Sequence, residues 1–151
     1  MKISVIIPFL NEEENIPFLV ESLNSFFGTI KDFKTEVIFV NDGSTDNSLT
    51  VLKQQDHKKY NCKIISFSKN FGSHAALRAG ILNATGDHIT FMYADLQDPL
   101  ELISKMFQSV NSGNKDIVWA TRNSTENGFA EATFSKVYSG LMKKYVSASY
   151  P

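Results

Sequence analysis

The chain has 151 residues, 42% hydrophobic and 21% charged, enough for one globular domain with a sizeable core and unlike a disordered or fibrous chain. Fifteen Lys and Arg against sixteen Asp and Glu leave a net charge of -1, which excludes a polybasic surface built for nucleic acid. Cys62 is the one cysteine, so there is no intramolecular disulfide and a reducing cytoplasm is the expected compartment. No run approaches the roughly 20 apolar residues of a membrane-spanning helix.

The first apolar run, Ile3 to Ile7, is too short for a signal peptide and is followed at once by Asn11 and three glutamates, so it reads as a core strand. Further strands are expected at Glu36 to Val40, Ile64 to Phe67, His88 to Tyr93 and Ile117 to Ala120. Helical segments lie between them. Asn15 caps the first, with Pro17 in its opening turn, and Thr45 or Asp46 caps the second, whose Leu49, Val51 and Leu52 face the sheet. Gly72 opens the third, which ends near Gly86, and Pro99 starts the fourth. Phe129 to Ser147 forms a fifth, with Phe134, Val137, Leu141 and Tyr145 on one stripe.

Strands that are apolar throughout, each followed by a helix, imply a doubly wound α/β domain: a mostly parallel sheet with helices on both faces. No repeat or linker marks a boundary, so residues 1–151 form one domain, and the ending at Pro151 is read as a truncation at its C-terminal end. Cys62, opening a strand, is a small core residue and not a nucleophile.

In such sheets ligands bind at the carboxyl ends of the strands. Three strand ends are rich in polar residues: Pro8 to Glu12, Asn41 to Asp46 and Tyr93 to Pro99. Gly43 allows a tight turn that leaves Asp42 free to point outward, and an ionised carboxylate, being only an acceptor, suits the ring N–H of a nucleobase. Ser44 and Asp46 read as turn and cap residues. The spacing of Asp42, Ser44 and Asp46 imitates the start of a calcium loop, yet the required glycine and glutamate are replaced by Asn47 and Lys53. No glycine-rich phosphate loop follows the first strand, so a diphosphate must be held by other means. Asp95 and Gln97 offer oxygen ligands on the same side of an extended segment, suited to a divalent metal.

The strings SVIIPFLNEEENIP, VIFVNDGSTDNS, SKNFGSHAALRAGILNATGD and FMYADLQDP together resemble the family-two glycosyltransferases, in particular the polyprenyl-phosphate sugar transferases of the dolichol-phosphate mannose synthase type. The resemblance runs in order from residue 3 to about residue 122. It implies an A-type glycosyltransferase fold, a UDP- or GDP-sugar donor, a divalent Mg or Mn ion, and transfer with inversion to a polyprenyl phosphate. It places the chain in cell-envelope polysaccharide or glycolipid synthesis, at the cytoplasmic face of a membrane in the full-length protein. By position, Pro8, Leu10 and Glu12 would wall the nucleotide, and Val40 and Asp42 would meet the base. Ala94, Asp95 and Gln97 would contact ribose, diphosphate and metal, with Asp95 the catalytic residue through that metal. Arg122 would hold the donor phosphates. Lys69, Asn70, Gly72 and Asp87 would shape turns, and His74 would be a solvated or capping residue.

Tyr93 stands where the family's metal motif usually has another aspartate, which lowers the negative charge of the site. Beyond Arg122 the second arginine often found in the family and its acceptor-side motif have no counterpart. A non-catalytic nucleotide-sugar-binding module is therefore the alternative reading, and a flavodoxin-like binding domain is a third.

Overall fold

In the computed structural model the described residues are 1–113 and 116–121. The elements run β1 (Lys2–Phe9), α1 (Ile16–Thr29), β2 (Lys34–Asn41), α2 (Ser48–Gln54), β3 (Asn61–Ser66), α3 (Ser73–Asn83), β4 (His88–Phe91) and α4 (Glu101–Asn111). The four strands form a parallel sheet in the order β3-β2-β1-β4. The chain divides into one compact unit, Met1–Val118, and a second from Trp119 onward. The elements described here lie in the first, and residues 117–120 cross the boundary.

β1 and β2 are buried almost end to end because both faces of the sheet are covered there. On one face Ile3, Val5, Ile7, Val37 and Phe39 pack against Leu19 and Leu23 of α1, Leu52 of α2, and Ile103 and Phe107 of α4. On the other, Ile6, Ile38 and Val40 pack against Ala76 of α3. Helix α3 sits close to the sheet: a Cβ on its buried Gly80 would lie 2.3 Å from Ile6 Cγ2. Helices thus flank both faces, three on one and one on the other, as the pattern of apolar runs implies. The single-helix face leaves Ile89 and Phe91 of β4 46% and 50% exposed.

Pro8 is tolerated in a central strand for a local reason. The Met92 N–H donates to the Ile6 carbonyl at 3.1 Å, so the polar groups of Ile6, and those two residues on at Pro8, face β4. The β1–β4 register ends at Ile6 and Phe91, so no ladder bond is due where proline lacks its donor. The two strands part there. This is also where the strand order changes direction, since the chain moves outward from β1 to β2 and β3 and then returns to the other side of β1 as β4.

Some expected boundaries shift. The second helix starts at Ser48 with Asn47 at its cap position, yet the Asp46 carboxylate accepts the Ser48 N–H at 3.0 Å, so the expected capping residue serves from one position earlier. Asn15 is at the cap position of α1 without a side-chain cap bond; its amide donates instead to Glu12 Oε2 at 2.7 Å. Gly72 does precede α3, which ends at Asn83, before Gly86.

The expected strand at Ile117 to Ala120 is not one: these residues take no regular structure, and Ile117 and Trp119 are 68% and 76% exposed. Strand propensity alone does not make a strand; it requires a paired neighbour, and β4 is an edge of the described sheet with nothing hydrogen-bonded to its outer side. The fifth helix expected over Phe129 to Ser147, and Arg122, lie outside the described residues.

Candidate functional site

The loops after β1 and β2 are fastened to each other at the carboxyl end of the sheet. Asn11, in the left-handed region at φ 56°, donates its N–H to Ser44 Oγ at 3.0 Å and accepts the Thr45 N–H on its side-chain oxygen at 2.9 Å. Next to it the Glu12 N–H reaches Ser48 Oγ at 2.8 Å. The Glu13 N–H reaches Asp46 Oδ2 at 3.2 Å, and Glu13 Oε2 takes the Asn47 N–H at 2.8 Å. Asn41, buried at the end of β2, accepts the Ser44 N–H at 2.9 Å and donates to Ser66 Oγ at 3.0 Å, tying β3 to the same turn. Ser44 and Asp46 are therefore structural, as their turn-forming chemistry suggests. Loops fastened in this way hold neighbouring groups in fixed positions without a ligand.

Asp42 lies at the centre of this arrangement. It is only 4% exposed, and its N–H donates to the Phe9 carbonyl at 2.9 Å, continuing the β1–β2 ladder one step beyond the strands. Its Oδ1 accepts the Phe71 N–H at 2.8 Å, and Oδ2 takes no hydrogen bond from the described residues. Gly43 turns the chain at φ 72°, and a Cβ there would lie 2.2 Å from the Lys69 carbonyl carbon, so only glycine fits. Burial and one fixed oxygen give Asp42 a defined orientation with acceptor capacity to spare.

Around it, Pro8 and Val40 are register partners and both buried, whereas Leu10 is exposed at the rim. Val40 packs with Ile6 and Ile38, so it shapes the floor by packing. Glu12 is half-buried, and its polar groups are engaged at the start of α1: its carbonyl accepts the Asn15 and Ile16 N–H groups, each at 3.0 Å. These residues share the β1 and β2 ends with Asp42, as expected.

The segment after β4 differs from expectation. Ala94 is buried in the main core, so a ribose contact there would fall to its backbone. Asp95 and Gln97 are both exposed, but the segment between them is turned and not extended: Leu96 has φ 56°, and Asp95 Oδ1 accepts the Gln97 N–H at 3.2 Å. A left-handed residue between them cancels the alternation that would set both side chains on one side of a strand. Tyr93 is exposed, and no group of three His, Cys, Asp or Glu poised for a metal occurs among the described residues.

Other singled-out residues fall where turn chemistry predicts. Asn70 Oδ1 accepts the Gly72 N–H at 2.8 Å. Asp87 accepts the Lys2 N–H at 2.8 Å, at the opposite end of the sheet from Asp42. Burial pushes the Cys62 thiol up to about 11, so it stays protonated at neutral pH and is no nucleophile.

The sequence reading missed Glu36. It is 1% exposed beside Ser4 in the β1–β2 register and is fully partnered: Ser4 Oγ donates at 2.5 Å, Lys2 Nζ at 2.9 Å and the Thr85 N–H at 2.6 Å. Burial alone would raise its pKa, but these donors outweigh it and hold the carboxyl at about 2. The available signal was a lone acidic residue near the start of an apolar strand; that it lies opposite Ser4 follows only from the β1–β2 register.

Known proteins are similar to this chain. A prophage bactoprenol glucosyl transferase homolog of Escherichia coli (strain K12) is 37% identical over 123 residues, covering 82% of this chain and 40% of that protein. An undecaprenyl-phosphate 4-deoxy-4-formamido-L-arabinose transferase of Proteus mirabilis (strain HI4320) is 35% identical over 154 residues, covering 98% of this chain and 45% of that protein. The crystal structure of S. aureus TarS 1–349 in complex with UDP superposes with a TM-score of 0.58 at 26% identity, covering 72% of this chain and 32% of that one. The chain therefore spans about two fifths of the length of the curated relatives it matches. The family model of glycosyl transferase family 2 matches residues 4–148, and the chain belongs to that family.

Proposed function

We propose that this chain is the nucleotide-sugar-binding part of an inverting glycosyltransferase that moves a sugar from a UDP- or GDP-sugar to a polyprenyl phosphate at the cytoplasmic face of a membrane. The observation that carries the reading is Asp42: a buried carboxylate with one oxygen fixed and the other unengaged by the described residues, at the carboxyl end of a parallel sheet. Such a group accepts a base N–H and discriminates against bases lacking one. The UDP bound to TarS and the lipid-phosphate acceptor in the name of the Proteus mirabilis relative support the donor and acceptor classes.

In this reading Pro8 and Leu10 flank the nucleotide beside Asp42, and Val40 supports the base from beneath. Asp95 and Gln97 face the diphosphate from the β4–α4 loop, and Arg122, outside the described residues, is assigned to the donor phosphates by its position in the family motif alone. The acceptor phosphate is already ionised and needs no strong general base. It attacks the anomeric carbon in line, and the bond from that carbon to the diphosphate oxygen breaks with its electron pair leaving on the nucleotide. With Asp95 Oδ1 engaged by the Gln97 N–H, Oδ2 and the Gln97 side-chain carbonyl are the protein's oxygens for a divalent ion. Because the turn at Leu96 takes the two off one side of an extended segment, such an ion would be held mainly by the donor phosphates. A Mg or Mn ion bound there would neutralise charge on the departing diphosphate.

Titration calorimetry with UDP, GDP and their hexose derivatives, with Mg or Mn and again with chelator, tests the reading. Binding heat that Asp42→Ala removes supports it. No heat with any of them, or heat unchanged by Asp42→Ala, overturns it. Tyr93 in place of a carboxylate favours a second reading, a module that binds donor without transferring sugar; tight UDP binding with no transfer to undecaprenyl phosphate would select that one.

A further inference from the structure

We infer that the turn Lys69–Gly72, between β3 and α3, is a positioning element for nucleotide binding: the Asn70 side chain fixes the turn that presents the Phe71 N–H to Asp42. The inference rests on the reading of Asp42 as the base acceptor. Four features converge on it. The Asn70 side-chain oxygen takes the Gly72 N–H at 2.8 Å and closes the turn, while Gly72 itself sits at φ 91°, where other residues are strained. The Phe71 N–H, between them, is aimed at Asp42 Oδ1 at 2.8 Å. The Lys69 backbone lies against Gly43, so close that no side chain fits between the two turns. The Phe71 ring meets Phe67 edge to face at 5.6 Å, which anchors the turn to the end of β3.

The consequence for Asp42 is directional. A carboxylate free to rotate offers either oxygen anywhere on a cone; with Oδ1 bound to a backbone N–H, Oδ2 has one heading. The turn therefore acts on affinity through Asp42 and touches no ligand itself. A turn that merely starts α3 needs Gly72 and Asn70 equally, but it has no reason to send its intervening N–H to a carboxylate 29 residues earlier in the chain.

The test is a double-mutant cycle on the full chain, read as the affinity for UDP and for GDP, each added alone. Asn70→Ala should weaken binding of the preferred nucleotide by about tenfold, with its unfolding midpoint recorded alongside. Asn70→Asp, which keeps an acceptor oxygen for the Gly72 N–H, should restore affinity. In an Asp42→Ala background Asn70→Ala should cause no further loss. Gly72→Ala is the second route: nothing lies within 4 Å of the added methyl, so it alters the turn through backbone strain alone and should weaken binding in the same Asp42-dependent way. An Asn70→Ala chain that binds like wild type, or loses as much affinity with Asp42 already removed, overturns the positioning role. If Asp42→Ala itself binds like wild type, the base reading falls and takes this inference with it; if Asp42→Ala fails to bind while Asn70→Ala binds normally, only the turn's role falls.

Discussion

A buried carboxylate lies near each end of strand β2, Glu36 within it and Asp42 just beyond it, and the two are partnered very differently. Glu36 takes hydrogen bonds from a lysine, a serine and a backbone N–H and hydroxyl of Thr85, and has no capacity left over. Asp42, six residues on, takes one side-chain hydrogen bond from the described residues. Burial is nearly equal. What separates a fastening from a receptor is therefore the count of partners, because a buried charge without enough of them destabilises the fold until something else supplies them. The amino end of the sheet is closed chemically, whereas at the carboxyl end one Asp42 oxygen is unengaged by the described residues and is the one that the proposed function gives to a nucleobase.

Removing Glu36 is the severest way to break this contrast. Glu36→Ala should cost roughly 3–5 kcal/mol, since it leaves Lys2 and the Thr85 N–H without their acceptor. Chemical denaturation measures the loss, and nucleotide affinity of the remaining folded protein should stay near that of wild type. Acid attacks the same group. Its folded pKa lies near 2, below the ordinary carboxylate value of 4.5, so its stabilisation is fully present above about pH 4.5 and is lost as pH falls toward 2. That change amounts to roughly 3 kcal/mol, and Glu36→Gln should flatten the corresponding part of a stability-against-pH curve.

Asp42→Ala should behave in the reverse manner. We expect stability within about 1 kcal/mol of wild type and a loss of nucleotide affinity of roughly 1.5–3 kcal/mol, the range of a hydrogen bond to a charged group. Calorimetry and thermal unfolding on one preparation separate the two. Ser44→Ala sharpens the contrast at its mildest. It removes the acceptor of the Asn11 N–H at an exposed position and should cost about 1 kcal/mol or less in stability, with a small change in affinity from loosened loops.

The apolar runs from Ile3, Glu36, Ile64 and His88 specified the sheet because each is β-rich and apolar, buried nearly end to end in β1 and β2 and only partly so in the outer strands β3 and β4, and the glycines at 43 and 72 marked the turns that matter. Ile117 to Ala120 had the same look and pairs with no strand among the described residues. That Asp42 stands at a strand end before a turn was legible from the glycine that follows it. Glu36 was not, because its partners come from residues 2, 4 and 85 and depend on a β1–β2 register that spacing along the chain does not encode. The relation between Asp95 and Gln97 was misjudged because nothing in the string Asp-Leu-Gln announces a left-handed leucine.

Pro8 adds a last consequence. Any other residue at that position could offer an N–H toward β4 and let the two strands zip one step further together. Proline has none to offer, so the gap at the carboxyl end of the sheet persists when nothing occupies it. If the nucleotide sits there as proposed, it need not spend affinity on separating strands, which is preorganisation achieved by withholding a single hydrogen bond.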